Sequence, residues 1–198
     1  MIAIEQTIPW ETLQEKIRQT PLMEEHNGEI IRPYLHAEIS LREFSYSQVH
    51  PTSRYALQQN LATQDRLSGE LAQQGYDPLH LLGGLVLRDE TGTLTGMIPP
   101  IVERTAEGED ILCDGIHRTS NGRWRGRLGF MAIHITGADE RYPFYALSNS
   151  WDEVILQGTV PTDPALKKNY RDMANYHSLY RDFSKLTGRG LRTAGDNQ

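Results

Sequence analysis

The sequence predicts an α/β (α+β) fold, a compact core of interleaved strands and helices followed by a helical C-terminal extension. Three observations lead there. Apolar residues alternate with period two in some stretches and recur at helical spacing in others. The run Ile111-Leu112-Cys113 halts at Asp114-Gly115 and passes directly into His117-Arg118-Thr119-Ser120, the pattern of a strand that ends in a glycine turn before a helix. The length of 198 residues, 38% of them hydrophobic, suits one domain with an appendage.

Each element has its own signal. Trp10, Leu13 and Ile17 share one face of a helix over 10–19, and residues 20–36 read as irregular. Ile39 and Leu41 alternate within a strand over Glu38 to Phe44. His50-Pro51-Thr52-Ser53-Arg54 carries cap hydroxyls and a first-turn proline, predicting a helix that runs through Leu57, Leu61, Leu67 and Leu71 to a stop at Gly75. Residues 79–87 read as a buried strand broken by Gly83-Gly84, and 89–92 as a turn. A hairpin over 101–113 turns at 106–109 and leads into the Gly115 turn. A short helix over 117–126 and a strand over 130–135 follow. Its Thr119–Gly126 stretch is a poor helix former, which predicts a short or distorted helix. Residues 141–157 read as helical. Asp163-Pro164 starts a long amphipathic helix to about residue 186, with His177 on its buried face, and 187–198 reads as disordered.

Composition narrows the function. One cysteine precludes an internal disulfide, and no apolar run is long enough to span a membrane. The N-terminus lacks the pattern of a signal peptide, so a cytoplasmic protein is expected. The net charge of -6 argues against indiscriminate nucleic-acid binding. It leaves room for a local basic patch, and Arg118, Arg123, Arg125 and Arg127 cluster after the glycine turn.

That turn is the candidate site. Gly115 can adopt backbone angles closed to other residues and admits close approach of a ligand. A helix start beyond it presents backbone N–H groups to an anion. Arg118 supplies a planar fork of donors, His117 can donate or exchange a proton, and Thr119 and Ser120 add hydroxyls, so Gly115, His117, Arg118, Thr119 and Ser120 form a candidate phosphate-binding set. Asp114, at the strand end, can bind a nucleotide-associated Mg²⁺, accept a proton from a hydroxyl, or merely cap the turn. Glu38, Glu43 and Glu103 are expected to be solvent-facing strand residues, and Cys113 a buried, inert thiol. The histidines have no metal-ligand spacing. Trp124 is expected to anchor in the core, with base stacking as the alternative.

Asp114-Gly115-Ile116-His117-Arg118 resembles the D-G-x-H-R loop of the ParB/sulfiredoxin superfamily, in the form seen in free-serine kinases and ParB-like nucleotide-binding domains. The resemblance covers about residues 37–150, with 1–36 as an N-terminal helical or irregular extension, 151–186 as a helical extension and 187–198 as a tail. It implies a compact domain with a mixed sheet. It also implies that the loop holds nucleotide phosphates (ATP, ADP or CTP, with Mg²⁺) and that Asp114 serves catalysis together with His117. By the same resemblance Arg54, after the Pro51 segment, lies near the nucleotide. Two departures matter. Ile116 stands where sulfiredoxin has its redox cysteine, which argues against sulfinic-acid reduction. The residues after the core read as one or two amphipathic helices where partition proteins of the superfamily continue into a helix-turn-helix domain, so a DNA-partition role is not expected. The expected function is nucleotide-dependent phosphoryl transfer or nucleotide hydrolysis on a small substrate. A CTP- or ATP-binding regulatory switch, with homodimer formation, is one alternative. A ParB-like nuclease or DNA-modification enzyme is another.

Overall fold

The computed structural model describes residues 2–183 and Leu186, so the tail expected over 187–198 lies outside the described residues. The chain begins with β1 (Ala3–Ile8) and α1 (Trp10–Arg18), continues through β2 (Glu38–Ser45), β3 (His50–Pro51) and β4 (Tyr55–Leu57), and then forms α2 (Gln58–Ala72). Next come β5 (Gly84–Arg88), β6 (Leu94–Met97), β7 (Ile101–Arg104) and β8 (Asp110–Asp114). They are followed by α3 (Ile116–Trp124), β9 (Gly129–Thr136), β10 (Ile155–Gln157) and the one-turn α4 (Pro164–Lys167). The architecture is mixed α+β, as expected.

The central sheet has five strands in the order β2-β9-β7-β8-β3. Its β2–β9 and β7–β8 pairs are antiparallel, whereas β7–β9 and β3–β8 are parallel, so the sheet is mixed. Side chains alternate across it. Ile39, Ile101, Ile111, Cys113, Ile133 and Ile135 pack on one face with Leu13 and Ile17 of α1. Phe44, Val102, Leu112, Phe130 and Ala132 pack on the other with Val49, Leu79 and Trp151. A second sheet, β1-β5-β6, buries Leu85, Leu87 and Met97 against Leu71 of α2.

The N-terminal stretch is part of the body. Its β1, unread in the sequence, pairs antiparallel with β5 from Ala3↔Arg88 to Ile8↔Gly84. Only that distant partner makes AIEQTI a strand, because its burial pattern is nearly all exposed.

Three helical expectations are corrected. Residues 50–57 are not a helix start. His50 and Pro51 pair in parallel with Ile111 and Leu112 at the sheet edge, where a proline is tolerated, and the helix begins at Gln58. Residues 141–157 are irregular apart from a 3₁₀ turn at Trp151–Glu153 and the short β10. The long helix expected over 164–186 is one turn, followed by an irregular strap. Apart from a 3₁₀ turn at Tyr176–Leu179, the strap is held largely by backbone bonds to neighbouring segments. Arg54 N–H donates to the Lys167 carbonyl, Leu147 N–H to that of Asn169 and Arg171 N–H to that of Tyr145. Of the tyrosines that suggested helical spacing, Tyr180 is buried and Tyr170 half-buried, and both pack near Tyr145. Tyr145 meets Tyr180 edge-on at 4.5 Å and Tyr170 meets Tyr176 at 4.0 Å. His177 is accordingly exposed, not on a buried face.

The strap is locked by one buried cation. Arg181 donates to the carbonyls of Leu179, Tyr142 and Pro143, and to the hydroxyl of Tyr34 at 3.1 Å. Its guanidinium reaches Glu103 at 3.5 Å, and Tyr34 donates to the same carboxylate oxygen at 2.6 Å. Glu103 is therefore not a solvent-facing strand residue. It is 3% exposed, because Arg181 supplies the counter-charge that lets it be buried. Glu38 and Glu43 are exposed, as expected.

Candidate functional site

The site grows from the end of β8. The strand delivers Asp114, half-buried, and Gly115 then turns left-handed with φ 95° and ψ 14° to become the cap of α3. Two constraints demand glycine here. The positive φ is one. The other is Pro100, whose Cβ would lie 2.9 Å from any Cβ added at residue 115. No side chain caps α3, so its first-turn amides are the electropositive end of the helix dipole.

Despite its poor propensity, α3 is a full nine-residue helix. Tertiary packing overrides propensity: Gly122 lies so close to Leu79 and Tyr46 that an added Cβ would stand 2.5 Å and 2.6 Å from them. Tyr46 also donates its hydroxyl to the Thr119 carbonyl at 2.9 Å. From the other side α2 clamps α3. Asn60 lies 3.3 Å from His117 Nε2, and Asp65 accepts from Asn121 at 2.7 Å and from Arg125 at 2.7 Å. The bonds from Arg125 and Asn121 hold the Asp65 carboxyl below the usual carboxylate range.

Asp114, Gly115, Ile116, His117 and Arg118 line one cleft of about 770 Å³. Across it stand Thr52, Ser53 and Asn60, the strap residues Lys168 and Tyr180, and Phe144 and Tyr145. The size is that of an ordinary small-molecule pocket. The strand–turn–helix thus brings its first five residues to one cavity.

It does not bring all the expected residues there. Thr119 and Ser120 are buried at 0% and 1% exposure and do not line the cleft. The Thr119 hydroxyl donates back to the carbonyls of Gly115 and Ile116, a local bond within the helix. Arg118 lines the cleft but is mostly buried, and its Nη2 donates to the Ile98 carbonyl at 2.6 Å, which fixes the segment before β7. Arg54 is elsewhere. It lines a separate cavity of about 640 Å³ beside His50, Ser148 and Asp152, and its guanidinium donates to Asn149 and to the Ala165 carbonyl. The resemblance set Arg54 beside the loop, whereas here it lines a different cavity from Asp114–Arg118.

The basic cluster is spoken for. Arg123 pairs with Asp152 at 2.9 Å, Arg125 with Asp65, and Arg127 with Asp77. Trp124 is 43% exposed at the end of α3, so it is not the core anchor expected. Cys113 is buried, and burial pushes its thiol well above the ordinary value, which fits an inert thiol.

Sequence inspection missed Asn60, Lys168, Tyr145 and Tyr180. Asn60 sits one turn from Gln64 on the same face of α2, both in the cleft, but nothing marked that face as different from a solvated one. Lys168 and Tyr180 reach the site through the irregular strap, and Tyr145 through the irregular segment before Trp151.

A profile for the family described as the ParB CE domain matches residues 12–155, well over half of the chain and inclusive of the whole β8–Gly115–α3 unit. The chain belongs to this family. The match ends at the start of β10, so the strap from Leu156 onward lies beyond it. No curated protein and no solved structure gives a significant match. Among the described residues, no helix of this ParB CE domain protein is long and apolar enough to cross a membrane.

Proposed function

We propose that this ParB-like chain binds a nucleoside triphosphate (ATP or CTP) in the β8–α3 cleft and transfers or hydrolyses its terminal phosphoryl group on a small substrate. One observation carries the proposal. A left-handed glycine that cannot be replaced without a clash opens an uncapped helix onto a cleft, directly after a half-buried carboxylate. Backbone amides at such a helix start favour phosphate.

The residues take distinct roles. The first turn of α3 holds phosphate oxygens, with His117 as an additional donor positioned by Asn60. Arg118 stiffens the turn from behind through Ile98 and adds positive potential. Asp114 accepts the proton of an attacking hydroxyl or water. No group of three acidic, histidine or cysteine side chains suited to a metal occurs among the described residues. A divalent ion would therefore be held by Asp114 and phosphate oxygens together, a mode that suits Mg²⁺, and would neutralise charge on the phosphates. Thr119, Ser120 and Arg54 take no part. With Arg123, Arg125 and Arg127 committed to carboxylates, the geometry favours a nucleotide over a nucleic acid.

Calorimetry with MgATP, MgCTP and MgADP tests this. At least one nucleotide binds the wild type. Asp114→Asn lowers the Mg²⁺-dependent part of the affinity and abolishes turnover, while Arg54→Ala and Ser120→Ala leave binding unchanged. If no nucleotide binds, or if Arg54→Ala removes binding and Asp114→Asn does not, the assignment is wrong.

A further inference from the structure

A second charge faces the same cleft from the strap. Lys168 follows α4, where the chain turns extended with φ -152° and ψ 160°. Its backbone bridges to Ser53, and its side chain lines the same cleft as Gly115. The ammonium sits over the Tyr145 ring at 5.0 Å and near Phe144 at 5.9 Å. Aromatic faces at this range attract a cation and favour the head group there.

Lys168 has no carboxylate partner among the described residues. Other cations lining the cleft are engaged, Arg118 through the Ile98 carbonyl. Arg181 is bound to Glu103, and Arg66 to Glu70. Asp89, Asp114 and Asp182 also line the cleft, yet none pairs with Lys168. The ammonium lies near enough to Cys113, the residue before Asp114, for its charge to oppose the rise in the thiol's pKa. Lys168 is thus a half-buried cation beside the end of β8, in a position to complement an anion that enters the cleft.

We propose that Lys168 forms an oxyanion subsite distinct from the Gly115 turn, and that it holds the negatively charged group of the small acceptor. A carboxylate and a phosphoryl group share the required chemistry. The inference rests on the proposed nucleotide-dependent reaction for the acceptor's role, but not for the existence of the subsite. In that reaction an acceptor hydroxyl forms the new P–O bond, the bond to the bridging oxygen of the departing nucleoside diphosphate breaks, and Asp114 takes the proton. Lys168 anchors the acceptor by its anionic end so that a hydroxyl can face Asp114.

The test uses the full chain. It has four lysines, Lys16, Lys167, Lys168 and Lys185, so reductive ¹³C-dimethylation, which keeps the charge, gives a simple NMR spectrum in which Lys168→Met identifies the Lys168 signal. The probes are glycerate, inorganic phosphate and neutral glycerol, each titrated without nucleotide. The expected result is that glycerate or phosphate shifts the Lys168 signal and glycerol does not. Whichever anion acts names the group. In calorimetry Lys168→Met weakens that anion at least about tenfold, the size of a lost charge-assisted bond, Lys168→Arg restores most of it, and MgATP affinity is unchanged. The proposal is overturned if neither anion shifts the signal, if glycerol shifts it equally, or if Lys168→Met weakens MgATP as much as the anion. Should MgATP fail to bind the wild type while glycerate still moves Lys168, the subsite stands and the nucleotide assignment falls.

Discussion

Replacing Gly115 by alanine separates the two constraints that the structure places on the turn. The first is conformational. A non-glycine residue in left-handed geometry costs roughly 1–2 kcal/mol, and φ 95° lies beyond the centre of the left-handed well. The second is steric. The new Cβ would meet Pro100 Cβ at 2.9 Å and its Cα and Cγ at 3.2 Å each. Pro100 is held by its ring and by the bond from Ile133 N–H to its carbonyl, so it cannot swing away as a flexible side chain would. Overpacking of this kind costs about 1–3 kcal/mol. The sum is about 2–5 kcal/mol. Gly126, just past α3, is the control: its φ is 75° and an added Cβ meets nothing within 4 Å, so alanine there should cost only the conformational part, roughly 1–2 kcal/mol. Urea unfolding of both variants measures the difference, and calorimetry with MgATP then reports whether the displaced turn still binds phosphate. Equal losses for the two variants would refute the argument that Pro100 dictates glycine at residue 115.

Two further predictions concern the body that holds the cleft. Arg181→Met leaves Glu103 buried with only the Tyr34 hydroxyl, and should lower stability by about 3–5 kcal/mol. In a double-mutant cycle with Glu103→Gln the loss should be strongly non-additive, and simple additivity in urea unfolding would show that the strap is not locked through this pair. Asp110 gives the pH dependence. Burial alone would raise its carboxyl, but bonds from Arg104 at 2.7 Å and His134 at 2.9 Å outweigh this and hold it below the ordinary value. The unfolded chain therefore binds this proton more readily, and the stabilisation is full above about pH 4 and fades as pH falls through the lower, folded value. Asp110→Asn lacks this component, so the wild type should lose more stability than the variant as pH falls below about 4. Parallel acid profiles would contradict it.

The local features of the site were legible in one dimension because they are short-range. Asp114, Gly115, Ile116, His117 and Arg118 are consecutive, and a strand that ends in a glycine turn places consecutive residues together whatever surrounds them. The strands β2, β7, β8 and β9 were legible for the same reason, as alternation on a two-sided sheet survives in the sequence. Helical spacing was less trustworthy. It correctly marked α1, yet Tyr170 and Tyr180 at the same spacing belong to a largely irregular strap with backbone bonds to Tyr145, Leu147 and Arg54.

What the sequence determined by itself is the phosphate-loop candidate, the mixed α+β class and the likeness to ParB-like domains, because each depends on contiguous residues. Only the tertiary structure decided which residues share the cleft. It turned Thr119 and Ser120 inward, carried Arg54 to another cavity, buried Glu103 under Arg181 and brought Lys168 to the cleft that the turn lines. The physical reason is common to all four. A side chain's neighbours across the fold are set by strand pairing and by the counter-charges that make burial affordable, and neither leaves a local trace in the chain.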